Sequence, residues 1–168
     1  MKRLAFVGLL LLLALTSAFV TNTFLLVEDT RLNLALEKAA TMSSLNGSEA
    51  SVGTDGNANG GSNFFHTGIE DQPWWQVDLG AVHQVSGFEI HNRSDCCMER
   101  ADSLTVQLST DGKTWTKVYS HDKKPFGSET SQIPPLKINT KSAPARFVRI
   151  KLAERNYLHL SEVRVLGE

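Results

Sequence analysis

Apolar and polar residues alternate along several short stretches of the chain. Leu104, Val106 and Leu108 alternate with Thr105 and Gln107, the pattern of a strand with one buried face. Asp111-Gly112 supplies a turn, and Trp115 to Tyr119 reads as the returning strand of a hairpin. Phe88 and Ile90 alternate with Glu89 and His91. Val148, Ile150 and Leu152 alternate with Arg149 and Lys151, and Val163 and Val165 flank Arg164. Helical periodicity is almost absent. Short strands joined by turn chemistry predict an all-β fold, an antiparallel β-sandwich with binding loops at one end. The strand Phe88–His91 delivers the segment Asn92–Arg100 into such a loop, where binding residues commonly sit.

The N-terminus follows a different pattern. Lys2 and Arg3 precede an apolar run from Leu4 to Val20, and Thr16-Ser17-Ala18 offers a small-residue cleavage site. Residues 1–27 are therefore expected to be a cleaved signal peptide, with an uncleaved signal anchor as the competing reading. Either way the remainder lies outside the cytosol: secreted, or anchored with its domain outside. Residues 28–32 read as a short tether and 33–168 as one domain. The chain has 168 residues and a formal charge of −1, which lacks the basic footprint that nucleic-acid binding requires. Contact with a membrane is expected only through the N-terminal anchor.

Three stretches carry candidate chemistry. Asp55-Gly56-Asn57-Ala58-Asn59-Gly60-Gly61-Ser62-Asn63 is rich in oxygen donors and glycine, which suits a hard cation or a plain polar loop. Asn92-Arg93-Ser94-Asp95-Cys96-Cys97-Met98-Glu99-Arg100 holds the only two cysteines in the chain among two arginines and two carboxylates. In an oxidising compartment Cys96 would pair with Cys97 or with another chain; two partly buried thiols are the alternative. Arg93 and Arg100 are fixed cationic forks with Asp95 between them, suited to a ligand or to a solvated ion-pair cluster. Trp74 and Trp75 serve either as core filling or as a stacking platform for sugars.

The spacing in the second stretch carries a resemblance. His66, twenty-six residues, Arg93, one residue, Asp95, four residues and Arg100 resembles the fucose-binding signature of the F-type lectins, or fucolectins. Further likeness lies in Asn33-Leu34-Ala35, Asp55-Gly56-Asn57, Pro73 to Leu79 and Leu160-Ser161-Glu162-Val163. Pro73 to Gly80 is also shared with the wider discoidin-like, coagulation-factor-type C domains, whose fold is a jelly-roll β-sandwich. The resemblance implies a calcium-stabilised lectin that recognises terminal α-L-fucose on glycans. It implies that His66, Arg93 and Arg100 bond the sugar oxygens and that Asp95 orients both arginines. A Cys96–Cys97 disulfide would pack on the sugar ring, and Phe64 or Phe65 would touch the fucose methyl group. For structural Ca2+ it implies Val52, Asp55, Asn57, Ser62 or Asn63, Ser161 and Glu162.

No Ser/His/Asp or paired-carboxylate arrangement stands out for catalysis, so no enzymatic activity is expected. The expected partners are fucosylated glycans or glycoproteins, with self-association adding avidity. A discoidin-like domain that binds phospholipid surfaces, or a protein partner in adhesion, is the alternative. Asn46-Gly47-Ser48 and Asn92-Arg93-Ser94 both satisfy the N-glycosylation sequon. A glycan on Asn92 would crowd the proposed pocket, so Asn92 is expected to be unmodified.

Overall fold

A computed structural model describes residues 29–168. The expected signal segment, 1–27, lies outside the described residues. In chain order the strands are β1 (Leu32–Asn33), β2 (Ala40–Met42), β3 (Phe65–His66), β4 (Glu70–Asp71), β5 (Trp74–His91) and β6 (Leu104–Ser109). They continue as β7 (Thr116–Ser120), β8 (Leu136–Leu152), β9 (Arg155–Asn156), β10 (His159–Leu160) and β11 (Glu162–Gly167). Two short 3-10 turns, Ala50–Thr54 and Met98–Ala101, are the described helical elements. Among the described residues no helix is long and apolar enough to cross a membrane.

The fold is an antiparallel β-sandwich. The main sheet runs β1-β11-β5-β8-β6-β7, with β2 also paired to β5. The β6–β7 hairpin forms where the alternation places it. The expectation of uniformly short strands is corrected by β5 and β8, which have 18 and 17 residues. Both reach that length by bending. Their pairing is interrupted between Asp78 and His83 and again between Val85 and Gly87, so each strand serves two parts of the sheet.

The core follows the alternation. Phe88, Ile90, Leu104, Val106, Val148, Ile150, Leu152, Val163 and Val165 are all fully buried. Trp75 is fully buried too, stacks on Phe65 at 5.5 Å and donates its indole N–H to Ala50 O at 2.8 Å. Trp74 lies on the other side of β5, under the Arg149 guanidinium at 4.8 Å. Arg149 also lies 3.9 Å above Trp115, so both indoles are occupied by a cation.

The tether is part of the fold over its described residues. Arg31 donates to Ser86 O at 2.9 Å and to Asn139 Oδ1 at 2.7 Å. Leu32 pairs with Gly167. These contacts tie Arg31 and Leu32 to the main sheet. A side chain at position 87 would collide with the Arg31 guanidinium and the Ile138 carbonyl, which is why glycine stands there.

Candidate functional site

Two short strands bring the first part of the site together. β3 pairs with β10 so that His66 faces His159 and Phe65 faces Leu160. Alternation along β3 sends Phe65 inward, so of the two expected phenylalanines only Phe64 reaches the site. Phe65 is corrected to a core residue.

Arg93 is held from two sides. Its Nε and Nη2 donate to the Asp95 carboxylate at 2.7 and 2.6 Å, a bidentate fork, and its guanidinium lies 4.1 Å over the Phe64 ring. Its side chain is 11% exposed, so little of its charge meets solvent. The same fork holds the Asp95 carboxyl at about 2, with the Arg93 hydrogen bonds the largest cause. Asp95 does not brace Arg100. That guanidinium instead lies 4.8 Å over Tyr157, whose ring is 5.3 Å from His66.

His66 carries a defined tautomer. Its Nδ1 lies 2.7 Å from Thr67 O, and a carbonyl can only accept, so Nδ1 holds the proton and Nε2 keeps a lone pair. Burial pushes the His66 pKa below its ordinary value, and Arg93 and Arg100 push it further. The ring is neutral near pH 7. His159 lies behind it, 5.4 Å away, fully buried with no partner for either ring nitrogen. Burial first, then the charges of Arg93, His66 and Arg100, drives its pKa down to about 3.

Cys96 and Cys97 form a disulfide with each other. Cys96 is exposed, and Cys97 adopts a left-handed conformation at φ 62 before the turn that carries Arg100. That conformation costs a non-glycine residue energy and turns the chain sharply toward Tyr157.

The Asp55–Asn63 loop docks beneath the arginine loop. Ser94 N donates to Gly60 O at 2.8 Å, and a Cβ at Gly60 would collide with Asn92 O and lie 2.8 Å from Ser94 N. Within the loop, Asn63 Nδ2 donates to Asp55 Oδ2 at 3.0 Å and to Asn57 O at 3.4 Å. Glu162, fully buried, reaches the same loop by accepting from Gly56 N at 3.2 Å through Oε2. Its Oε1 has no partner, and burial raises its pKa to about 7. A buried unpaired carboxylate oxygen, on a residue whose other oxygen binds the Asp55–Asn63 loop, fits a hard cation. Ser161 commits its hydroxyl to His91 O and Asn92 O, each at 3.2 Å, which leaves its carbonyl as the available donor. Val52 lies in the Ala50–Thr54 turn and Ser62 is exposed. For Val52 the expected ligand is its backbone carbonyl, and no hydrogen bond among the described residues ties the Ser62 side chain to the cluster.

A second cluster, Glu89, His91 and Glu129, has ligand atoms within 4.8 Å of one another. Arg164 already bridges Glu89 at 2.8 Å and Glu129 at 2.6 Å, so these carboxylates have a cationic partner. A cleft of about 290 Å³ lies between β6, β7 and β8, lined by Leu108, Ser109, Thr114 and Pro144, with no charged side chain.

The F5/F8 type C model described as a NedA-like, galactose-binding domain matches residues 53–150. Fucolectin-2 of Anguilla japonica is 31% identical over 146 residues, which cover 79% of this chain and 78% of that protein. The chain belongs to the fucolectin family. A fucose binding module from Streptococcus pneumoniae superposes with a TM-score of 0.72 at 28% identity, covering 84% of this chain and 99% of that one. The lectin domain of lectinolysin, solved with Lewis B antigen, gives a TM-score of 0.68 at 30% identity over 82% of this chain and 97% of its own. Among the curated relatives, the chain matches 24% of a Xenopus laevis pentraxin fusion protein and 56% of the Anguilla anguilla fucolectin. It spans less than two thirds of either.

Sequence reasoning missed Asn46, Tyr157 and His159. Asn46 lies 3.2 Å from His66 Nδ1, and its backbone N–H donates to His66 O. Asn46 carries a signal only as part of a sequon, and Tyr157 and His159 carry none, because the contacts that gather them around His66 join segments far apart in sequence.

Proposed function

We propose that this chain is a fucose-recognising lectin domain, non-catalytic, secreted or held at the outer surface of a membrane. The observation that carries this reading is the linked row Arg93–Phe64–His66–Tyr157–Arg100. It presents two guanidinium groups and one lone-pair acceptor in a single row, with Arg93 already braced through Nε and Nη2. A neutral sugar with adjacent hydroxyls suits such an array, because each hydroxyl can accept from an arginine and donate to Nε2 of His66. The Lewis B antigen in the lectinolysin complex is consistent with a fucosylated ligand.

Each side chain has a distinct task. Arg93 and Arg100 donate to ring and hydroxyl oxygens, and His66 accepts a hydroxyl proton at Nε2. Asp95 holds the Arg93 fork flat, and Tyr157 holds Arg100. The Cys96–Cys97 disulfide offers a polarizable shelf without hydrogen-bond demands. Phe64 offers its edge to the sugar's methyl group.

Asp55, Asn57, Glu162 and the carbonyl of Ser161 would hold Ca2+, with Asn63 joining once its amide is turned over. When bound, the ion supplies a fixed positive centre that neutralises the Asp55 and Glu162 carboxylates. The loop is already coupled to the sugar edge through Gly60 and Ser94.

Retention on fucose-agarose tests the reading. Arg93→Ala and Arg100→Ala should each weaken retention by roughly 10- to 100-fold, the loss of one or two charge-assisted hydrogen bonds. Circular dichroism should remain unchanged. Retention equal to the parent would sink the site, and pelleting with phospholipid vesicles in place of fucose binding would favour the discoidin-like alternative.

A further inference from the structure

The two sequons occupy opposite environments. Asn92 is fully buried and its Nδ2 donates to Met98 O at 3.1 Å and Phe126 O at 3.4 Å. A glycan there would need the core to open. Asn46 is exposed, on a turn where Gly47 takes φ +89 with open space around its α-carbon. The turn is fixed on both sides to the same histidine. Asn46 N donates to His66 O at 2.9 Å, and Ser48 forms an isolated backbone bridge with His66.

The Asn46 amide has one side-chain contact among the described residues: Nδ2 lies 3.2 Å from His66 Nδ1, whose own proton goes to Thr67 O. The amide thus lies beside the ring on an exposed turn, where Nδ2 can exchange a hydrogen for a substituent.

We infer that Asn46 carries an N-linked glycan whose first sugar grows from the rim of the His66 site and shields it. The inference rests on the sugar-binding reading for its consequence, but not for its occurrence. In the transfer, Asn46 Nδ2 attacks C1 of the reducing-end N-acetylglucosamine of a lipid-linked pyrophosphate oligosaccharide. The N–C1 bond forms, and the bond from C1 to the pyrophosphate oxygen breaks. The lipid pyrophosphate leaves with that electron pair, and one amide proton passes to a base on the transferase. The acceptor triad is met only where the chain enters the secretory lumen, which is the destination its N-terminal apolar run predicts.

The shielding is steric. Nδ2 is 3.2 Å from the His66 ring, so an attached sugar shares the approach to Nε2 with any incoming ligand. A fucose on that glycan would also be held at high local concentration next to the site, competing with fucose supplied from outside.

The test uses the full chain produced by cultured animal cells, as wild type, Ser48→Ala and Ser48→Thr. Ser48→Ala removes the acceptor hydroxyl and leaves Asn46 and the backbone bridge in place, whereas Ser48→Thr keeps the sequon. Peptide mass spectrometry should find hexosamine on Asn46 in wild type and Ser48→Thr, none in Ser48→Ala, and none on Asn92. Carbethoxylation of His66 by diethyl pyrocarbonate should be at least about threefold slower in the glycosylated forms, and retention on fucose-agarose lower than for Ser48→Ala. A bare Asn46, or equal His66 modification rates in all three proteins, overturns the inference. Failure of Ser48→Ala to bind fucose-agarose would overturn the lectin reading alone, because occupancy and shielding of His66 are read without the sugar.

Discussion

His66 and His159 show how neighbours decide what a histidine does. Both have pKa values below the ordinary one, because burial and two nearby guanidinium groups disfavour the charged ring. The unfolded chain takes up these protons near 6.5 while the folded chain resists them, so stability rises with pH across that window and falls on acidification. For His159 the window extends down to about 3. Retention on fucose-agarose should therefore hold at pH 7 and decline with a midpoint below 6.5, as Nε2 of His66 is protonated. The melting temperature should fall over the same range. Asp95 remains ionised throughout, so a midpoint at or above 6.5 would contradict the acceptor role of His66. The adjacent phenylalanines make a second contrast. Phe65→Ala should cost about 3–5 kcal/mol in urea unfolding, the loss of a stacked core aromatic. Phe64→Ala should leave the unfolding midpoint nearly unchanged and weaken sugar retention.

At the scale of elements, the site depends on three connections that have no common stretch of sequence. β3 is held by β10, the arginine loop by the Asp55–Asn63 loop, and Glu162 joins that loop to β11. Gly60 is the tightest of these joints, since its neighbours are backbone atoms of the arginine loop. Gly60→Ala should push Asn92 and Ser94 away and displace Arg93. Weaker fucose retention with only a modest drop in melting temperature is the expected result; unchanged retention would show that the loops are not coupled.

For the whole molecule, stability depends on how the Asp55–Asn63 loop is held against Glu162 of β11. A buried Glu162 with one unpaired oxygen weakens the fold whenever that carboxylate is charged without a partner. Added Ca2+ should raise the melting temperature by several degrees, and chelation with EGTA should lower it, read by differential scanning fluorimetry at pH 7.5. Glu162→Gln should abolish that response while the folded protein persists. A flat response in the parent chain would remove calcium from the account. One sugar buries little surface, so the proposed lectin reading predicts modest affinity for a single site and tighter capture when several copies act together.

The sequence by itself determined the fold class and named the candidate residues His66, Arg93 and Arg100. Alternation marks a buried face on each strand, because a side-chain period of two allows one register only, and the core residues Val106, Ile150 and Val165 follow it. The spacing from His66 to Arg100 marked side chains that the fold brings into one row with Phe64 and Tyr157. Only the tertiary structure decided which of two adjacent phenylalanines faces out, because β3 is too short to show its own phase. It also decided that Tyr157, rather than Asp95, holds Arg100. Likewise it separated two sequons, placing Asn92 in the core and Asn46 on an exposed turn. Each of these depends on a contact between segments distant along the chain, where local pattern carries no information.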